Sequence, residues 1–234
     1  GKSVGAVFVV TELARRLGVT AALGRGRDAE LALWQIVARV VDQGSRLSAV
    51  RLHETHALAD VLDLARGFDE DDLYANLAWL SEHQDAIERR LFKARRNGTP
   101  PSLFLYDVTS SYLEGDCNAL GAYGYNRDGK KGKKQLVIGL SCDGEGDPVS
   151  TEVFTGHTAD VKTFKSQVDK AAARFGCERV TFVGDRGMIK SRPIADLTEM
   201  GFHFITTITK AQIRTLLRSG MIQLELFDET LGEV

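Results

Sequence analysis

Leu103-Phe104-Leu105-Tyr106-Asp107-Val108-Thr109-Ser110-Ser111 is an apolar and aromatic run that meets a carboxylate and then a group of hydroxyls. It follows the Pro100-Pro101 break, and a run of this length after a breaker reads as a buried strand over 103–107. An Asp at the end of a buried strand is costly unless a cation, a metal ion or a set of backbone donors compensates the charge. Val180-Thr181-Phe182-Val183-Gly184-Asp185-Arg186-Gly187 has the same form. Two core strands that each deliver an Asp to a strand end define a site, and the remaining chain reads as what surrounds it.

Upstream of that strand the pattern is helical, from about residue 11 to 97. Leu33, Trp34, Val37, Val40 and Val41 recur at helical spacing after Asp28. The clearest helix is Asp71 to Arg96. Acids at 69–72 begin it, and Arg89, Arg90, Lys93, Arg95 and Arg96 end it, which complements a helix dipole. Leu73, Leu77, Leu80, Ile87 and Leu91 are its expected buried face. The basic end reads as a solvated helix terminus, with DNA contact as the alternative. Asn97 to Pro101 reads as a linker.

Downstream the character changes. Strand signals fall at 103–107, 135–141, 149–154, 179–184 and 202–208. Cys142 to Pro148 carries hairpin chemistry. Helices are expected from about Asp160 to Phe175, from Ser191 to Met200 and from Lys210 to Ser219. In the first of these, Thr158 is the expected N-cap and Gly176 the C-terminal glycine. The order predicts an α/β fold: a mixed sheet with flanking helices, preceded by an all-α N-terminal region. The expected division is 1–97 and 102–234.

A chain of 234 residues that is 43% hydrophobic and 26% charged suits a folded globular protein, and its net charge of −2 confines any nucleic-acid signal to local patches. Cys117, Cys142 and Cys177 have neither zinc-site nor disulfide spacing and suit a reducing cytoplasm. No apolar run is long enough to span a bilayer, so no membrane partner is expected. The chain lacks an initiator Met and stops at Glu233-Val234 without a closing element, so a fragment is expected.

The chemistry follows from the two aspartates. Carboxylates brought close on neighbouring strands need a divalent cation or a shared proton. Oxygen-only ligands suit Mg²⁺ or Mn²⁺. The loop Tyr123 to Lys134 holds Arg127, Lys130, Lys131, Lys133 and Lys134 against one acid, Asp128. Basic residues beside Tyr123 and Tyr125 suit phosphate contact and base stacking, a solvated loop being the alternative. Arg186 and Lys190 are further candidate phosphate contacts, although each could equally pair with a nearby acid. His157 reads as a structural hydrogen-bonding residue.

Four motifs in this order carry a resemblance: Tyr106-Asp107-Val108-Thr109-Ser110, Gly124-Tyr125-Asn126-Arg127-Asp128, Gly156-His157-Thr158-Ala159-Asp160 and Gly184-Asp185-Arg186-Gly187-Met188. Together they resemble the DDE transposases of bacterial insertion sequences, over most of the chain. The resemblance implies a ribonuclease H-like core and two divalent metals, Mg²⁺ or Mn²⁺. It implies cleavage at transposon ends and joining of the freed 3′-hydroxyl to target DNA. It makes Asp107 and Asp185 the first two catalytic, metal-holding acids of a triad. The implied partners are transposon-end and target DNA and a second copy in a homodimer on DNA, within a bacterial cytoplasm at the nucleoid. The helical leader would then bind DNA or mediate assembly.

The third acid of such enzymes is a Glu in a signature of Tyr, two residues, Arg, three residues, Glu, six residues, Lys. This chain has no Tyr after Tyr125, and Glu199, Glu225, Glu229 and Glu233 are not assigned to that role. The catalytic core is therefore expected to be incomplete at its C-terminus, and the fragment inactive alone. Two alternatives stand beside this reading. One is a non-enzymatic DNA-binding remnant of a transposase. The other is an Asp-dependent phosphatase, which would want an acid where Thr109 stands.

Overall fold

The computed structural model describes residues 1–62, 64, 67–96, 101–115, 117–125, 132–177, 180–184, 194, 197–199 and 201–221. The expected linker residues 97–100 lie outside the described residues, and so does most of the helix expected at 191–200. The chain divides into two compact units, Gly1–Pro100 with Ala173–Gly176 and Pro101–Ala172 with Cys177–Val234.

The first unit is helical: α1 (Gly5–Arg16), α2 (Val19–Leu23), α3 (Arg27–Val41), α4 (Arg46–Thr55), α5 (Leu58–Leu62) and α6 (Glu70–Arg96). Helix α3 is apolar over most of its circumference, and a helix of that kind must be enclosed. Leu31, Leu33, Trp34 and Val37 are all buried, and Val7 of α1 and Leu73 of α6 join the same core. At the start of α6, Asp69 accepts from the Asp72 backbone N–H at 2.9 Å and Asp72 accepts from that of Asp69 at 3.1 Å. Each carboxylate thus satisfies a donor that the helix start leaves open.

The buried face of α6 differs from expectation: Glu88 is buried on it as well as Leu73, and one leucine is displaced. Leu77 is exposed, and Asn76 takes the buried position. Asn76 is tolerated there because it is bonded on both sides. Its amide donates to the Asp28 carbonyl at 2.9 Å, and its Oδ1 accepts from Gln35 Nε2 at 2.8 Å. Gln35 also donates to the Leu73 carbonyl at 3.2 Å and accepts from the Arg46 guanidinium. A buried polar cluster of this kind avoids a desolvation cost only when its members are satisfied.

The second unit is built on a five-stranded sheet in the order β3-β2-β1-β4-β5, from β1 (Leu103–Tyr112), β2 (Gln135–Asp143), β3 (Pro148–Thr155), β4 (Thr181–Val183) and β5 (His203–Ile205). Strands β1, β2 and β3 are antiparallel neighbours, while β4 lies parallel to β1 and β5 parallel to β4. The β2–β3 hairpin turns as expected, with Asp143 Oδ1 accepting the Glu145 and Asp147 backbone N–H groups at 2.9 and 3.0 Å. Helix α7 (Asp160–Ala173) begins at Asp160, after Thr158 rather than with it as an adjoining cap, and Gly176 beyond its end has φ +64°. Helix α8 (Lys210–Arg218) starts in a capping box between Thr209 and Gln212. Among the described residues, no helix is long and apolar enough to cross a membrane.

Strand β1 is longer than expected. It runs through Asp107 to Tyr112, so this Asp lies mid-strand and is exposed, where the sequence reading put it at the end of a buried strand. The reason is the alternation of faces along an extended chain. Phe104, Tyr106 and Val108 are buried, whereas Leu105, Asp107 and Thr109 point to the other face. On the buried side Tyr106 packs against Phe164 of α7 with ring centroids 6.0 Å apart, and Phe104 packs against Phe182 of β4 at 5.7 Å. Asp107 therefore keeps its hydration, and the strand continues without an uncompensated buried charge.

Tyr106 lies over Gly139 of β2, where an added Cβ would overlap the phenol oxygen. Burial pushes the Tyr106 phenol up to about 12, and its oxygen has no hydrogen-bond partner among the described residues. The folded chain then keeps a proton that the unfolded chain releases near the ordinary value of 10.0. The unfolded state binds fewer protons in this window, so stability from this group declines as pH rises from about 10 to about 12. Tyr106→Phe is expected to flatten that part of the pH dependence of urea unfolding. An unchanged slope would show that the phenol is not the group responsible.

Candidate functional site

Asp107 stands opposite Leu140 of β2 on the exposed side of the sheet, and its Oδ1 accepts from the Val108 backbone N–H at 2.8 Å. On its other side runs β4, in parallel register. Leu105 pairs with Val183, the last residue of that strand, and Gly184 then donates to the Ile205 carbonyl at 3.2 Å. Asp185 lies outside the described residues, as do Arg127, Lys130, Lys131, Arg186 and Lys190. Among the described residues no group of three or more His, Cys, Asp or Glu could hold a metal ion. The carboxylate of Asp107, exposed on a sheet face, is nonetheless a hard oxygen donor of the type that Mg²⁺ and Mn²⁺ take.

Three of the candidate DNA-binding residues are described. Tyr125 is 85% exposed. Lys133 pairs with Glu114 at 3.0 Å on the surface. The Lys134 carbonyl accepts from the Leu113 backbone N–H at 2.7 Å, which anchors that end of the loop to the chain leaving β1.

The structure also shows why the loop begins and ends where it does. Ala122 and Gln135 exchange two backbone hydrogen bonds, at 3.2 and 2.9 Å, across the base of the loop. Gly156 fits against that bridge so tightly that a Cβ would overlap the carbonyl oxygens of Gln135 and Ala122. Gly124 in turn fits against the Gly156 carbonyl, with no room for a Cβ. The Gln135 side chain closes the knot, donating to the Gly156 carbonyl at 2.7 Å and the Tyr125 carbonyl at 3.0 Å. Sequence reading did not single out Gln135. Its signal was a polar residue opening an otherwise apolar strand, and it is only 3% exposed.

Beside the knot opens a cleft of about 360 Å³, bordered by Thr109 and Ser110 of β1, by Tyr125 and Gln135, and by His157 and Thr158 ahead of α7. His157 is exposed on this lining, and the Thr158 hydroxyl meets that of Thr155 at 3.2 Å. Asp107 is not among the lining residues: it shares β1 with the cleft.

Residues 98–226 match the family model described as the transposase DDE domain, which is more than half of the chain. The chain belongs to that family, and its mixed sheet with flanking helices is ribonuclease H-like. No curated protein sequence matches it. Among solved structures it is similar to a piggyBac transposase synaptic complex with hairpin DNA, with 14% identity and a TM-score of 0.38, over 96% of this chain and 45% of that one. It is also similar to a Mos1 transposase paired-end complex with the left transposon end, with 9% identity and a TM-score of 0.32, over 84% and 72%. A Mos1 mariner paired-end complex with Mn matches with 15% identity and a TM-score of 0.30, over 77% and 58%. The chain thus spans about half the length of two of these three. The family assignment rests on residues 98–226 and not on these distant likenesses.

The glycine knot gives a direct test. In Gly156→Ala the new methyl group meets two backbone carbonyls, neither of which is a flexible side-chain end that can swing aside. Overpacking of this kind costs about 1–3 kcal/mol. Urea unfolding of the variant is expected to show a loss in that range, and a loss below about 0.5 kcal/mol would count against the close packing.

Proposed function

We propose that the chain is the part of a DNA transposase in which Asp107 and Asp185 are the first two acids of a metal-holding triad. One observation carries the reading: the parallel register of β1 and β4, in which Leu105 pairs with Val183. Asp107 follows Leu105 by two residues within β1 and so shares its face, and in the sequence Asp185 follows Val183 by two, beyond the end of β4. Two carboxylates in that relation would repel unless a divalent cation lay between them. Asp107 and Asp185 would hold Mg²⁺ or Mn²⁺, and the bound ion would supply activation of the attacking oxygen and stabilisation of the leaving one. The transfer itself proceeds without a covalent enzyme intermediate.

The chain's own residues supply the remaining roles. Arg127, Lys130, Lys131, Lys133 and Lys134, with Arg186 and Lys190 after the second Asp, contact DNA phosphates. The helical unit binds DNA or mediates pairing of two copies on transposon ends, in the bacterial cytoplasm at the nucleoid. The Tyr, Arg, Glu, Lys signature that would supply a third acid is absent from this sequence, so the isolated chain does not cleave DNA. It binds metal weakly through the two acids it has.

Mn²⁺ binding followed by electron paramagnetic resonance is expected to show a weak site in the purified chain that is lost in Asp107→Ala and in Asp185→Ala. No nicking of supercoiled DNA is expected with either metal. Retention of the Mn²⁺ signal in both variants would sink the assignment of the acids. Strong Mg²⁺-dependent nicking lost in Asp107→Ala would show instead that the chain is complete for catalysis.

The basic loop is tested separately. Each phosphate contact contributes about 0.9 to the slope of log affinity against log salt on duplex DNA. Changing Lys130, Lys131, Lys133 and Lys134 together to Ala is expected to reduce that slope by up to about four such steps. An unchanged slope would assign the loop to solvent.

A further inference from the structure

Besides Tyr125, the cleft is lined by the hydroxyls of Thr109, Ser110 and Thr158, by one carboxylate, Asp160, and by the apolar Val137 and Val161; an acid in the wall disfavours a phosphate there, and a single carboxylate does not make a metal site. We infer that it receives one unpaired nucleotide of the DNA, with the base stacked on the Tyr125 ring and its polar edge facing the hydroxyls of Thr109, Ser110 and Thr158. The inference rests on the DNA-binding reading above and adds to it a place for a single base.

Three observations lead there. The first is the contrast within Tyr125 itself. Its backbone is held fast, with its carbonyl bonded to Gln135 and its neighbour Gly124 seated against Gly156. The residue as a whole, by contrast, is 85% exposed. A single exposed aromatic is ordinary on a protein surface. One whose own carbonyl and preceding residue are held, and which borders a cleft, is a preorganised stacking platform.

The second observation is size. At about 360 Å³ the cleft lies at the small end of ligand-holding sites, where one nucleotide fits and a length of duplex does not. The bases of a duplex are already stacked on their neighbours, so only an unpaired base offers a free face to the ring. The third is the chemistry of the wall. Hydroxyls donate and accept with equal ease, so Thr109, Ser110 and Thr158 can meet the edge of any base. Lys133 and Lys134 follow in the same loop, whose composition suits the phosphates on either side of such a nucleotide.

The test uses the whole chain and two hairpin oligonucleotides of one sequence, one fully paired and one with a single bulged 2-aminopurine. The wild-type chain is expected to prefer the bulged DNA and to quench the 2-aminopurine fluorescence. Base–aromatic stacking corresponds to about 5- to 150-fold in affinity, so Tyr125→Ala is expected to reduce the preference for bulged over paired DNA by that factor. Tyr125→Phe is expected to retain both the preference and the quenching. A preference unchanged in Tyr125→Ala would overturn the inference while leaving duplex binding intact. Equal quenching of free 2-aminopurine mononucleotide would assign the cleft to a small molecule and overturn it too. If the wild-type chain binds neither DNA, the DNA-binding reading falls and the cleft assignment with it. The circular dichroism of each variant is expected to match that of the wild type, because Tyr125 is largely exposed.

Discussion

The sheet unit depends on one phenyl ring. Phe182 is fully buried and touches three others: Phe104 of β1 at 5.7 Å, Phe164 of α7 at 5.5 Å edge-on, and Phe202 just before β5 at 5.8 Å. Aromatic pairs at these separations contribute beyond the area they bury. They also fix parity. Because Phe104 and Phe182 must face α7, Leu105 and Asp107 must face away. A slip of one residue in β1 would bury the carboxylate and expose the phenyl ring. The position of Asp107 is thus a by-product of where the aromatic residues pack, and no interaction of the carboxylate itself is needed to set it.

The helical unit is organised by a different constraint. Its central helix α3 buries one polar side chain, Gln35, among apolar ones. The cluster of Gln35, Asn76, Arg46 and the Asp28 carbonyl constrains how α3 and α6 meet, because directional bonds in a dry interior tolerate little displacement. The two units therefore use opposite means to reach a single structure: aromatic shape in one and polar geometry in the other.

Much of the fold was legible in the sequence. Strands β2 and β3, the hairpin between them, α7 and the long α6 all announce themselves through periodicity and turn residues. What was misread has common physical causes. The end of β1 was placed at Asp107 because Leu103 and Leu105 are apolar on the outward face and hide the alternation that would have shown a half-buried strand. A stripe of leucines points to Leu77 as buried and hides the fact that Asn76 lies on the true inner face. The candidate site was legible only as residue types in order. That Gly124 and Gly156 are forced by backbone contact, and that Gln135 ties them together, depends on segments more than ten residues apart meeting in space.

The bridge between Ala122 and Gln135 has a consequence for how such proteins diversify. A loop whose two ends are already held side by side is entropically closed before its middle is specified. Lengthening it costs little, about 0.6 kcal/mol for each doubling of its length. The stretch between Tyr125 and Lys134 is therefore a site where a lineage can exchange one set of contacts for another at small cost to stability, while Phe182 and its partners hold Asp107 in place.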